Sequence, residues 1–176
     1  MTPLNDAAGC RSTVQEKLAW VRCRWPDLEC KAAGIVLRLA RTRDLLMARS
    51  RGVLDAQGLA PAEFETLLTL LKQPEPHELT PGDIAAAIGV TSGGMTKALN
   101  KLVERGLVSR AVSQADRRSR LVRLTATGTA LVEETLLTII ARHGATMADI
   151  LDAAEREQLT ALLEKLLGAL EPGEER

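Results

Sequence analysis

A mainly α-helical fold carrying a small β-hairpin is the architecture this sequence predicts, and three observations predict it. Apolar residues recur at helical spacing over most of the 176 residues. Two short helical patterns meet at the tight turn Gly89-Val90-Thr91. Directly after them, residues 107–112 and 120–125 read as strands joined by an arginine-bearing loop, Gln114-Ala115-Asp116-Arg117-Arg118-Ser119.

In chain order, residues 12–24 form a modest amphipathic pattern, with Val14, Leu18 and Val21 apolar and Trp20 beside them. Ser12 can cap its start. Trp25-Pro26 should end it, because the residue before a proline is pushed out of helical space. Residues 31–57 predict a longer helix, with Ile35, Val36, Leu39, Leu45, Leu46, Val53 and Leu54 as its apolar stripe and Gly58 as its stop. Arg38, Arg41, Arg43, Arg49 and Arg51 crowd the rest of its surface. Pro61 suits a first-turn position, and residues 62–72 carry Phe64, Leu67, Leu68 and Leu71 at helical spacing. Residues 73–77 should be a loop, because Pro74 and Pro76 are incompatible with a helix interior.

The start Thr80-Pro81-Gly82-Asp83 supplies a cap, a first-turn proline and an acid that can reach back. Ile84, Ala85 and Ile88 should point inward. A second helix is predicted from about Ser92 to Glu104, with Met95, Leu99, Leu102 and Val103 inward and Gly106 as a left-handed stop. After the hairpin, Thr125 should cap a long helix reaching Met147 or Ile150. A last helix over residues 153–170 carries Leu159, Leu162, Leu163, Leu166, Leu167 and Leu170.

Composition narrows the function classes. Hydrophobic residues make up 45% and charged residues 26%, an ordinary globular balance. Trp20, Trp25 and Phe64 are the only aromatics, so the core must be aliphatic. The net charge is zero, which argues against a general polyanion binder, but the charges are unevenly placed. Residues 96–124 hold eight basic residues (Lys97, Lys101, Arg105, Arg110, Arg117, Arg118, Arg120, Arg123) against Glu104 and Asp116, six positive charges net. Residues 149–176 hold eight acids against three bases. A locally basic surface on a neutral chain suits site-specific binding to DNA.

Cys10, Cys23 and Cys30 have no CxxC spacing and suggest neither a disulfide framework nor a zinc site. His77 and His143 are far apart, so no metal is expected. No nucleophile–base pair or phosphate loop is visible, and Gly93-Gly94 lacks the lysine and spacing of a P-loop. The expectation is a chain that is not an enzyme and needs no cofactor. Residues 1–15 lack the apolar core of a secretory signal, and no apolar run is long enough to span a bilayer. A reducing cytoplasm, with no membrane partner, is expected.

A helix entering the major groove needs short polar side chains at its first turn and longer ones beyond to reach phosphates. Thr91, Ser92, Gly93, Gly94, Thr96 and Lys97 meet the first need, and Asn100 and Lys101 suit the second. The glycine pair permits close approach of backbone to DNA. In the loop, Arg117, Arg118 and Arg120 can enter the narrow minor groove, where negative potential is concentrated, with Asp116 placed to hold the tip rigid.

These segments resemble the MarR family of winged helix-turn-helix regulators. The resemblance rests on GLAPAEFETLLTLL (58–71), LTPGDIAAAIGVTSGGMTKALNKLVERGLVSR (79–110) and DRRSRLVRLTATG (116–128), and covers residue 31 to the C-terminus. It implies one domain in three parts: dimerisation helices in 1–60, the winged helix-turn-helix in 61–125 and further dimerisation helices in 126–176. It also implies a homodimer on duplex DNA with an inverted repeat, acting as a repressor released by a small aromatic or anionic effector. Two reading helices would then enter major grooves about 10 base pairs apart. The extra N-terminal helix is similar to the urate-responsive branch. That likeness makes Trp20, Glu65 (an aspartate in the branch) and Arg110 effector-binding candidates, while Ala98 stands where the branch has arginine. Two alternatives stay open: a winged-helix module that binds proteins without DNA sequence preference, and a thiol-based redox-sensing variant of the same regulator.

Overall fold

The computed structural model describes residues 13–25, 31–112 and 120–171. The chain divides into two compact units, residues 1–50 and 51–176. In the first unit, helix α1 (Val14–Arg24) is opened by Thr13, whose hydroxyl accepts from the Glu16 N–H while the Glu16 carboxylate accepts from the Thr13 N–H. The expected cap, Ser12, lies outside the described residues; Thr13 fills the role because Glu16 stands three positions on. Helix α2 (Lys31–Ala56) begins in this unit and ends in the second. Gly34 is buried against Leu18, where a Cβ would lie 3.7 Å from a Leu18 methyl group.

The second unit follows the predicted order closely. Helix α3 (Pro61–Leu71) is followed by strand β1 (Glu78–Leu79), helix α4 (Pro81–Ile88) and helix α5 (Ser92–Glu104). Strands β2 (Val108–Val112) and β3 (Arg120–Leu124) come next, then helices α6 (Ala126–Ile150) and α7 (Ala153–Leu170). Thr80, Thr91 and Thr125 each cap a helix through the side-chain oxygen. Asp83 does reach back, but it accepts from the Thr80 hydroxyl at 2.7 Å. Gly89 takes φ +69° at the end of α4, the conformation that lets the chain turn at once into α5.

The sheet differs from the predicted hairpin in having a third strand. Its order is β1-β3-β2, all antiparallel, with Glu78 opposite Arg123 and Val108 opposite Leu124. β1 is only two residues long, too short to show a period of two, and it follows the proline-bearing segment expected to be entirely loop.

The core is aliphatic as expected. Leu67, Leu70, Ile84, Leu102 and Val132 are fully buried, with Phe64, Met95, Leu107 and Val122 packed among them. Val53 and Leu54 at the end of α2 join this core, whereas Ile35, Val36, Leu39 and Leu45 earlier in the helix are exposed. No helix among the described residues is long and apolar enough to cross a membrane.

Candidate nucleic-acid interface

Helix α5 has two contrasting faces. Met95, Ala98, Leu99 and Leu102 are buried beneath it. Thr91, Ser92, Gly93, Gly94, Thr96, Lys97, Asn100 and Lys101 are all exposed. The residues expected to meet bases and phosphates therefore share the solvent side of one helix, seated on a rigid core. Thr91 organises its first turn by accepting from the Gly94 N–H at 3.2 Å. The Thr96 hydroxyl donates to the Ser92 carbonyl at 2.9 Å, so its hydrogen is engaged within the helix.

The two glycines of this turn are not equivalent. A Cβ on Gly94 would sit 3.3 Å from the Thr91 hydroxyl oxygen, so glycine there protects the cap. A Cβ on Gly93 would meet nothing within 4 Å. Packing within the chain gives no reason for glycine at 93, where it costs about 1 kcal/mol of helix stability relative to alanine.

Beside α5 stands the hairpin. Arg120 opens β3, exposed and paired in register with Val112. Asp116, Arg117 and Arg118, the expected tip, lie outside the described residues. Arg110 on β2 donates to the Asn100 side-chain oxygen at 2.9 Å, tying the hairpin to the reading helix. At the hairpin base, Thr125 donates to the carbonyls of Gly106 and Leu107 and caps α6 through Gly128. A Cβ on Gly128 would collide with the Leu107 carbonyl oxygen and press on Leu124. Glycine is thus required where the first turn of α6 crosses the end of the α5 segment.

The basic patch is smaller in space than in sequence. Glu78 reaches Arg123, whose Nε and Nη2 donate to one carboxylate oxygen at 2.9 and 2.7 Å. Glu63 lies 3.5 Å from the Lys101 Nζ. The guanidinium of Arg105 donates to the Gly58 carbonyl at 2.8 Å and the Gln57 carbonyl at 3.0 Å. Lys101, expected to touch phosphate, and Arg105 and Arg123, counted in the patch, are thus engaged within the chain. Glu63 and Glu78 were not singled out from sequence, and Arg105 and Arg123 were counted only as charges of the patch. Their partners lie 38 to 48 residues away, beyond any local pattern.

A cavity of about 140 Å³ opens between α4, α5 and the hairpin. Leu99, Val103, Leu121 and Val122 give it apolar walls, with Thr96, Arg110 and Arg120 also in its lining. Of the effector candidates, Arg110 borders this cavity. Glu65 is exposed on α3, and no hydrogen bond or ion pair joins it to Arg110 among the described residues. Trp20, in the first unit, is 56% exposed and stacks edge-on against Trp25 with ring centroids 5.5 Å apart. Cys23 is exposed on α1, and Cys10 and Cys30 lie outside the described residues. Among the described residues no cluster of histidine, cysteine and acids could hold a metal ion.

A helix-turn-helix with an exposed polar second helix beside a three-stranded antiparallel sheet is the winged-helix arrangement. The model of the MarR family matches residues 57–119. The chain is 29% identical over 146 residues to the HTH-type transcriptional regulator PecS of Dickeya dadantii, spanning 83% of this chain and 85% of PecS. It is 30% identical over 132 residues to the transcriptional repressor MprA of Escherichia coli, spanning 74% and 73%. The chain belongs to the MarR family, whose members are transcription regulators and not enzymes. Among solved structures it is similar to NadR in complex with 4-hydroxyphenylacetate, with TM-score 0.59 and 27% identity over 77% of this chain and 91% of that one. It is also similar to a mutant of MepR from Staphylococcus aureus bound to an oligodeoxyribonucleotide, with TM-score 0.56 and 26% identity over 79% and 98%.

Proposed function

We propose that this regulator is a repressor that grips an inverted repeat in duplex DNA as a homodimer and releases it when a small aromatic or anionic effector binds. The observation that carries the reading is the exposed, short-side-chain first turn of α5, held over a buried core and flanked by the Arg120 strand. Thr91, Ser92, Gly93, Gly94, Thr96, Lys97 and Asn100 serve the major groove, and Arg117, Arg118 and Arg120, with Asp116, serve the minor groove. The MepR neighbour carries an oligonucleotide and MprA is a repressor, which supports the same use of this fold.

The dimer is assigned to residues 1–60 and 126–176. The support is physical: the exposed apolar residues of α2 and α7 are more than a lone protomer ordinarily leaves in water. The effector is assigned to the Arg110 region, because an apolar cavity with arginines in its lining suits a small aromatic anion. Because Thr96 of the reading helix lines the same cavity, a ligand there competes with DNA. NadR, with its bound phenolic acid, supports that ligand class.

Selection from random duplexes tests the reading. A recovered inverted repeat, bound less tightly as salt rises, supports it. Recovery of no preferred sequence sinks it in favour of a protein-binding module.

A further inference from the structure

The two halves of the reading helix are held in different ways. Its N-terminal half is capped by its own Thr91 and seated through Met95, with its polar side chains exposed. Its C-terminal half is fastened to the corner between α2 and α3 at two points. Ala98, Lys101, Leu102 and Arg105 form one stripe at helical spacing. Ala98 and Leu102 are buried.

Lys101 Nζ stands 3.5 Å from Oε1 of Glu63, whose side chain is only 5% exposed. The other Glu63 oxygen accepts from the Ala60 N–H at 3.0 Å, closing the start of α3. One turn further along, Arg105 spans the carbonyls of the two residues just past α2, Gln57 and Gly58. Carbonyls at a helix end have no intrahelical donor, and a planar guanidinium can satisfy two of them at once. Gly58 itself takes φ +62°.

We propose that Lys101 and Arg105 are positioning residues: they clamp the reading helix to the α2–α3 corner, and that corner sets the angle at which the helix meets DNA. The inference rests on the DNA-reading function above. Two anchors a turn apart fix an orientation, which one anchor cannot. A lysine that left Glu63 for a phosphate would leave a nearly buried carboxylate without its cation. Lys101, although exposed, already has a nearly buried acid as its partner, so Lys97, one turn earlier, exposed and without an ion pair among the described residues, is the better phosphate contact.

The test is binding to the selected duplex across a salt series, with wild type, Lys101→Met, Glu63→Gln, Arg105→Ala, Arg105→Lys and, as control, Lys97→Ala. Glutamine at 63 keeps an oxygen for the Ala60 N–H while removing the charge. Lys97→Ala should flatten the slope of log affinity against log salt by about one per protomer. Lys101→Met and Glu63→Gln should each weaken binding about tenfold with the slope unchanged, and the double variant should lose no more than either alone, as expected for partners in one interaction. Arg105→Ala should do likewise, with partial rescue by Arg105→Lys. The clamp variants should also discriminate less against half-sites moved by one base pair, which loss of folded protein alone would not cause.

A flattened slope for Lys101→Met, tighter binding by Glu63→Gln, or additive losses in the double variant would each overturn the proposal. Should Glu63→Gln fail to fold, the Arg105 pair and the spacing measurement still decide. If wild type selects no sequence at all, the DNA-reading function has failed, and that is seen before any variant is made.

Discussion

The winged core and helix α7 are equally well formed as local structure and unequally satisfied as packing. Leu67, Leu70, Ile84 and Leu102 of the core are fully buried, and Glu63, its nearly buried acid, has both carboxylate oxygens engaged. Helix α7 is opened by a complete capping box between Asp152 and Glu155, yet it contains no buried residue. Leu162, Leu167 and Leu170 are more than half exposed. Capping is a local matter, settled within four residues, whereas burial needs a surface to pack against. α6 shows the transition within one helix: Val132, Thr135 and Ile139 are buried in the core, while Leu137 and Ile140 on its other side are exposed. The chain completes its own reading head and leaves apolar residues of α7 exposed, the surface assigned to the proposed dimer.

The largest effect should come from the unsatisfied side. Placing Leu162→Glu and Leu166→Glu in α7 should abolish the proposed dimer, measured by sedimentation, and weaken binding to the inverted repeat at least about a hundredfold, since two half-sites no longer bind as one. A monomer that bound as tightly as wild type would show that α7 plays no part in holding two half-sites together. In the core, Gly128→Ala should lower unfolding stability by about 2–3 kcal/mol in denaturant titration, because overpacking against backbone cannot be relieved by a rotamer change. It should leave the oligomeric state intact; loss of the dimer instead would show that the two regions are not separable.

A smaller effect is expected at the wing. Arg118→Ala should weaken operator binding about tenfold with little change in melting temperature, as a surface charge reaching DNA would. At the first turn of the reading helix, Gly93→Ala should raise stability by up to about 1 kcal/mol and still reduce DNA affinity. If affinity rose with stability, close backbone approach would be wrong. The smallest change belongs to Arg123→Ala, whose exposed pair with Glu78 should contribute no more than about 1 kcal/mol.

How much of this was legible follows the same division. Thr80 and Thr125 announce helix starts because a cap needs only its own neighbours, and Thr91, read as the end of a turn, caps α5 in the same way. The exposed face of α5 could be read from spacing alone, since Met95, Leu99 and Leu102 define the opposite side. The clamp could not. Lys101 reads from sequence as a phosphate contact, because its partner Glu63 lies 38 residues earlier, outside any local pattern. Arg105 bonds to carbonyl oxygens, which every residue carries, so no residue type marks its partner. The expected charge excess over residues 96–124 was likewise a property of the string, and Glu78 arrived from outside it through a strand of two residues.

The joint at Gly128 has a consequence for anyone wishing to transplant specificity between relatives. The hairpin ends at Leu124, which invites a cut before α6. Yet Thr125 is bonded to Gly106 and Leu107, and Gly128 fits against that same stretch of backbone. With the Gln57 and Gly58 carbonyls held by Arg105, the smallest exchangeable cassette runs from residue 57 to residue 128. A graft that stops short at either end would carry the letters of the reading helix without the frame that aims it.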